Sequence, residues 1–495
     1  MTFGLIFLLI YSIALLFIFI YSLVQANLVF NYTVKARESS NSKEDSDINY
    51  HGEEPMVTIQ LPVYNEQYVV ERLIDSVAKF NYPKDRFEIQ VLDDSNDNTK
   101  DIVEAKVNEL KSKGFLIERI HREDRKGFKA GALDEGLSKS KGEFVAIFDA
   151  DFMPQPEFIR KTLKSFKDPH VGMVQTRWSH INRDYSLLTR LQAFGLDGHF
   201  TVEQSGRNKA GHFINFNGTG GMWRKTCIQD AGGWSFDTLT EDLDLSYHAQ
   251  LKGWKFVYME DFNSPGELPV AMASLKSQQY RWTKGAAENA KKHLAEVFSA
   301  NLGTSTKIHA LFHLMNSFIF VCVFCSAIFS IPLLFFKSAN TQYSIFFDLA
   351  SLLLVSFLIL IVFYWASYTR LSQNKIKSSR EFLFLFPAFL SISMGLSFCN
   401  SIAVAEGWIG RKTAFIRTPK YNLGSTKKDW KENIYFTRKI EWITLIEGGL
   451  AVYFVYGISV AFKLHDFALL PFHVMLAFGF GAIFFYSLKQ SWLMK

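Results

Sequence analysis

The sequence predicts an α/β domain built on a Rossmann-like parallel sheet and carried between α-helical transmembrane segments. Three features lead there. Apolar and aromatic residues gather toward the two ends of the chain. Short β-rich runs alternate with helix-spaced runs from Val57 onward, and acidic residues follow directly on several of those β-rich runs. A uniform globule would spread its 48% apolar residues along the chain, and this sequence does not.

Residues 1–34 come first. Phe3 to Phe30 is almost unbroken apolar sequence, and the first basic residue is Lys35. A cleaved leader needs a positive start and a shorter apolar core, so this reads as a retained span. Lys35 and Arg37 place its far end in the cytoplasm. Residues 35–55 form a charged linker rich in Ser, Asp and Glu, and residues 56–300 form a polar domain on the cytoplasmic side. Residues 301–370 hold two spans, in the runs Ile308 to Phe336 and Ser344 to Tyr368. Residues 442–495 hold two more, Trp442 to Phe462 and Phe467 to Leu488. Each run is near the ~20 residues that a bilayer core requires.

The stretch 371–441 does not fit a simple crossing. Arg370, Lys375, Lys377 and Arg380 precede the apolar run Phe382 to Val404, and Arg411, Lys412, Arg417, Lys420 and further basic residues follow it. Both groups favour the cytoplasm. With Pro387, Gly395 and Asn400 inside it, the run is expected to be a re-entrant or interfacial helix followed by a basic cytoplasmic loop. Five crossings then make a multi-pass protein of the lipid bilayer, N-terminus outside and C-terminus inside.

Cys227, Cys322, Cys325 and Cys399 suggest no disulfide framework. A formal charge of +6 gives no support to a nucleic acid polymer as partner.

Within the polar domain VTIQLPV, FEIQVLD, FLIERIH and EFVAIFD read as strands, with helix-spaced runs between them. Ligands of such sheets bind beyond the carboxyl ends of the strands. Those ends carry Tyr64-Asn65-Glu66, Asp93-Asp94-Ser95-Asn96-Asp97 and Asp149-Ala150-Asp151. No glycine-rich phosphate loop follows a strand, so a diphosphate would be handled through a metal. Asp149 and Asp151 offer oxygen ligands suited to Mg2+ or Mn2+; a solvated turn looks the same. Asp93 and Asp94 either read a nucleobase and ribose or make a turn. Thr240-Glu241-Asp242 opens a helical run, where a cap with acids behind it is the ordinary reading and a general base the functional one. Gln278, Arg281 and Trp282 share one helical face, fit for a diphosphate and a sugar or for a bilayer surface. Asn217-Gly218-Thr219-Gly220-Gly221 is a tight turn or a place of close backbone approach.

The motifs PVYNE, DDSNDNT, KAGAL, DAD, NGTGG, TED and QQYRW follow one another across residues 62 to 282. In that order they resemble the processive family 2 membrane glycosyltransferases. HFTVEQ, GGWSFDTLTEDLDLSYHAQLKGWK and ELPVAMASLKSQQYRW are similar to the cellulose-synthase-like branch of mannan and glucomannan synthases. The resemblance implies a GT-A-type catalytic domain and an inverting transfer that polymerises a β-linked glucan, mannan or glucomannan and moves it across the membrane. The donor would be a nucleotide sugar of the UDP-glucose or GDP-mannose type, and the acceptor the growing glycan.

By the same resemblance, Tyr64, Glu66, Asp93, Asp94, Lys129, Asp149, Gln278 and Arg281 would bind the donor. Asp149 and Asp151 would hold the metal. Asp242 would be the catalytic base with Glu241 beside it, and Trp282, Asn217, Gly218 and Thr219 would face the acceptor. Phe415-Ile416-Arg417-Thr418-Pro419-Lys420 loosely resembles the gating loop of cellulose synthases, departing between Phe and Thr and at the inserted proline. No domain sensing a cyclic dinucleotide is expected after the last span. Two rivals stand beside this reading. One is transfer of a single sugar to a lipid such as ceramide or a polyprenyl phosphate. The other is a transporter, which calls for internal repeats that the sequence does not display.

Overall fold

The computed structural model describes residues 2–39, 54–349, 352–372, 375–413, 419–420, 422 and 441–492. Most of the expected charged linker, Phe415 to Thr418 of the gating-loop resemblance, and the basic residues from Lys427 to Lys439 lie outside them.

The polar domain is built on a seven-stranded sheet of order β3-β2-β1-β4-β6-β5-β7. Its strands are β1 (Val57–Val63), β2 (Phe87–Asp93), β3 (Leu116–His121), β4 (Phe144–Ile147), β5 (Val171–His180), β6 (Gly221–Arg224) and β7 (Lys255–Gly266). β1, β2 and β4 are buried along nearly their whole length because helices cover both faces of the sheet. One face packs Ile59, Leu61, Leu73 and Phe158; the other packs Leu92, Ile147, Leu133 and Trp223. β3, β2, β1 and β4 run parallel. β6 runs antiparallel to both β4 and β5, so the sheet is mixed rather than wholly parallel. The strand order reverses between β1 and β4, which opens a crevice at their carboxyl ends.

Among the described residues five helices are long and apolar enough to cross a membrane. They lie within Thr2–Ser39, Phe318–Ala339, Leu352–Leu371, Trp442–Leu464 and Leu470–Trp492. Lys375–Gly395 and Ser397–Ile409 meet at a bend of 48°. The run from Ile308 to Phe336 is not one helix: Thr304–Leu314 ends before Phe318–Ala339 begins. The reason is chemical. In that first helix the His309 carbonyl accepts from Arg207 and the His313 ring meets the Tyr247 hydroxyl, which keeps the helix against the polar domain.

The two halves are tied at several points. Tyr32 of the first helix donates to Glu260 of β7 at 2.7 Å, and Leu28 is fully buried. Helix Met272–Ser299 leaves the polar domain and lies against the membrane helices, where Lys276 meets Glu447 at 2.8 Å with both side chains buried. A buried pair is costly to break from one side, because the remaining charge has no partner. Glu447→Ala is therefore expected to destabilise the protein by about 3–5 kcal/mol, and the double change to Met at Lys276 and Glu447 to recover most of it. Thermal unfolding in detergent measures both; equal losses for the single and double variants would refute this account.

Candidate active site

A cavity of about 1250 Å3, open to solvent, lies over the carboxyl ends of β1 and β4. It collects Tyr64, Glu66, Asp94, Lys129, Asp149, Asp151, Asn217, Gly218, Glu241, Asp242, Gln278, Arg281 and Trp282. Segments as far apart in sequence as the first strand and helix Met272–Ser299 thus supply one site. Asp93 and Thr219 stand behind it. Asp93 is fully buried, accepting from Arg119 Nε and from the Ser95 amide, both at 2.9 Å, so it shapes the loop that carries Asp94. The hydroxyl of Thr219 accepts from the Asp149 amide at 2.9 Å and steadies that residue.

At one end, the Asp94 carboxylate takes two bonds from Arg122, at 2.9 and 2.6 Å. The Arg125 guanidinium lies 3.2 Å from the centre of the Tyr64 ring, a stacked cation–π pair. Arg122 and Arg125 were not among the residues that the sequence pointed to; the basic run HREDRK is a signal for them. Two consecutive left-handed residues, Gly127 (φ 73°) and Phe128 (φ 50°), then turn the chain so that Lys129 enters the cavity.

Lys129 sits at the centre of the charges. Its Nζ is 2.6 Å from Asp149 Oδ1 and 3.8 Å from Glu241 Oε1, and it donates to the Gly218 carbonyl at 2.8 Å. Burial works against its charge, yet Asp149, Glu241 and Asp242 together raise its pKa above the ordinary lysine value. Asp151 pairs with Lys420 at 2.6 Å, which brings the segment after Arg411 into the cavity. Arg72 links the same segment to the site, donating to Asn422 at 2.7 Å and to Glu267 at 3.2 Å.

Helix Glu241–Leu251 begins at the cavity wall. Thr240 makes no side-chain cap there; its hydroxyl instead accepts from Asn289 at 2.9 Å. Asp242 accepts from the Leu243 amide at 2.8 Å. Burial, and next the charge of Glu241, push its carboxyl up to about 7, against the opposing pull of Lys129, that amide and Arg281. A carboxylate that gains its proton near neutrality is suited to general base catalysis.

Asp149 and Asp151 fit a hard divalent ion. Among the described residues, buried Asp151 Oδ1 has no hydrogen-bond partner, while Asp149 stands on the same turn with its carboxylate facing the cavity. An unpartnered anionic oxygen suits Mg2+ or Mn2+, which take one or two carboxylates and complete their shell with substrate oxygens. A separate group, Asp244, His248 and His293, has ligand atoms within 4.8 Å of one another. There the Lys292 ammonium already lies 2.9 Å from Asp244 and supplies the positive charge.

Comparison with known proteins bears on family and fold. The family described as Glycosyl transferase family 2 matches residues 58–227, and Glycosyl transferase family group 2 matches residues 144–368. Glucomannan 4-beta-mannosyltransferase 9 of Arabidopsis thaliana is 40% identical over 294 residues, covering 56% of this chain and 55% of its own length. Glucomannan 4-beta-mannosyltransferase 2 of the same plant is 44% identical over 248 residues, covering 49% of this chain and 46% of its own. The chain spans about half the length of the curated relatives it matches. A mannosyltransferase from Pyrobaculum calidifontis, solved with GDP-Man and Mn2+, superposes with a TM-score of 0.54 at 17% identity. It aligns over 81% of this chain and 100% of its own, a likeness of fold, and that fold is GT-A.

The charges around Asp242 make a direct test. Glu241→Gln removes the negative neighbour and is expected to lower the Asp242 pKa; Lys129→Met removes the positive one and is expected to raise it. Infrared difference spectra of the carboxyl band across neutral pH read both shifts. Shifts of the opposite sign would refute the electrostatic account.

Proposed function

We propose that this protein, whose residues 58–227 match Glycosyl transferase family 2 and whose residues 144–368 match Glycosyl transferase family group 2, is an inverting hexosyltransferase of the cellulose-synthase-like branch that polymerises a β-linked, mannose-containing polysaccharide from a nucleotide-sugar donor of the GDP-mannose type. The observation that carries this reading is the meeting of Asp94, Asp149, Asp151, Asp242 and Arg281 at one cavity. The donor sugar is assigned by similarity to the glucomannan mannosyltransferases.

The residues divide the work. Tyr64, Glu66 and Asp94 lie toward the nucleoside, with Arg125 stacked on Tyr64. Asp149 and Asp151 would hold Mg2+ or Mn2+, whose chemistry would be to neutralise the donor diphosphate. Arg281, with Gln278 beside it, binds diphosphate oxygens, and Lys129 adds a second cation. Asp242 takes the proton of an acceptor hydroxyl. The oxygen then attacks the anomeric carbon from the face opposite the diphosphate, which inverts the configuration. Trp282 gives the acceptor sugar a flat apolar surface. Asn217, Gly218 and Thr219 form the turn beside the base.

The basic residues that flank the spans favour the cytoplasmic side for the catalytic domain. The contact of Lys420 with Asp151 supports the same side for the loop between Ile409 and Trp442. The five spans, with the bent pair as a re-entrant element, would carry the growing chain across the bilayer.

Membranes holding the protein, given labelled GDP-mannose or UDP-glucose with Mg2+ or Mn2+, are expected to form a polymer from GDP-mannose. A product of one sugar on lipid would replace the polymer reading by the lipid-acceptor one. Asp242→Asn is expected to lower turnover by about 10^2–10^4-fold while GDP binding persists. Because the base must be ionised and its pKa is raised to about 7, the rate is expected to fall as pH drops through that value. A rate flat across neutral pH would remove Asp242 from this role.

A further inference from the structure

Behind the cavity wall lies a buried polar chain that the mechanism does not use. The segment His199–Glu203 forms a π-turn between helices Leu187–Gly198 and Gln204–Lys209. The hydroxyl of Thr201 donates to the Asp197 carbonyl four residues back at 2.6 Å and competes with the backbone amide for it. Such bulges occur often at functional sites. Here the bulge aims His199 at the Asn217 turn.

His199 Nδ1 lies 3.0 Å from Glu203 Oε2, and its Nε2 lies 3.2 Å from Asn217 Oδ1. The Glu203 carboxylate and the Asn217 amide oxygen both only accept, so the two contacts require a proton on each ring nitrogen. Glu203 is buried and is fixed from its other oxygen by Arg207 at 3.0 Å. The orientation of the Asn217 amide is settled independently. Asn215 Nδ2 donates to Asn217 Oδ1 at 3.0 Å, while Asn215 Oδ1 faces His313 Nε2 at 3.2 Å. The oxygen of Asn217 therefore points inward to Asn215 and His199. Its Nδ2 meets only the Asn215 carbonyl, at 3.4 Å, among the described residues, and one N–H remains for the cavity that Asn217 lines.

Asn217 stands next to Gly218, and a Cβ at Gly218 would come within 3.0 Å of Asp242 Oδ2. The turn that carries Asn217 thus lies beside the base, and both line the same cavity. We propose that His199, clamped by Glu203, is a positioning residue that holds the Asn217 amide to receive a hydroxyl of the acceptor sugar. This rests on the transferase reading above and adds to it a device for acceptor recognition. His199 touches no substrate and acts through Asn217 alone.

The test uses the full-length protein in detergent with GDP-mannose and a β-1,4-mannooligosaccharide primer. His199→Phe keeps the ring and removes both nitrogens; Glu203→Gln keeps the shape and removes the charge. Both are expected to raise the primer KM, by about tenfold for His199→Phe, which is the loss of about 1.4 kcal/mol. GDP affinity and primer-independent hydrolysis of GDP-mannose are expected to stay unchanged, and His199→Gln, which restores an N–H, to recover part of the primer affinity. An unchanged primer KM in both variants would overturn the proposal. So would a parallel loss of GDP affinity, the mark of a packing defect. A wild-type protein that does not elongate the primer would count against the transferase reading and with it this one; elongation with unaltered variants would count against this one alone.

Discussion

Like charges cannot be gathered in a half-buried crevice unless opposite charges come with them. Glu66, Asp94, Asp149, Asp151, Glu241 and Asp242 all reach one cavity, and each must be balanced or stay protonated. Lys129 does most of this for Asp149 and Glu241, Arg122 does it for Asp94, and Lys420 for Asp151. At Asp242, burial and the charge of Glu241 outweigh the pull of Lys129 and Arg281 and drive the carboxyl toward neutrality. The chemistry assigned to it depends on this uneven sharing. If every carboxylate had a firm cationic partner, none would be a base poised near neutral pH.

The same distribution explains the role of the metal-binding pair. Asp149 and Asp151 are already touched by lysines, so the site tolerates its own negative charge in this arrangement. The chemistry that a divalent ion would supply at this pair is neutralisation of negative charge. The orphaned oxygen of Asp151 shows that Lys420 by itself does not complete the coordination of that carboxylate. Lys420 belongs to a segment that follows the bent helix pair, and Arg72 holds its neighbour Asn422. Binding at the metal site is therefore coupled to the position of that segment through direct contacts.

Much of this was legible in the sequence, for a physical reason. β1, β2 and β4 are short runs rich in Val, Ile, Leu and Phe between helix-spaced segments, and the rule that ligands sit past their ends pointed to Tyr64, Glu66, Asp94, Asp149 and Asp151. The apolar helices stood out by length. What stayed hidden depends on contacts distant in sequence. The antiparallel β6 is only four residues long and follows a glycine turn, so nothing local gives its direction. β5 and β7 mix polar and apolar positions and have register shifts, and their pairing leaves no simple alternation. Ile308 to Leu314 looks like the start of a span until His309 and His313 are seen to bond inward. Asp93 and Asp94 are adjacent and alike in type, and only the fold shows that one faces Arg119 behind the wall while the other lines the cavity.

Helix Met272–Ser299 joins these arguments. At 3.6 residues per turn, Lys276, Tyr280 and Lys284 form one stripe, and Gln278, Arg281 and Trp282 point away from it. The first stripe is committed to the membrane side: Lys276 to Glu447, and Tyr280 and Lys284 to Glu406, with Lys284 also reaching Thr413 at 2.9 Å. The second stripe lines the cavity. A rigid helix cannot move one face without the other. Gln278, Arg281 and Trp282 are therefore positioned by contacts with Trp442–Leu464 and Ser397–Ile409 as well as by the sheet. The polar domain alone would hold Asp94, Asp149 and Asp242 in place, but not the groups that face them from this helix. The active site is complete only where the two halves of the chain meet.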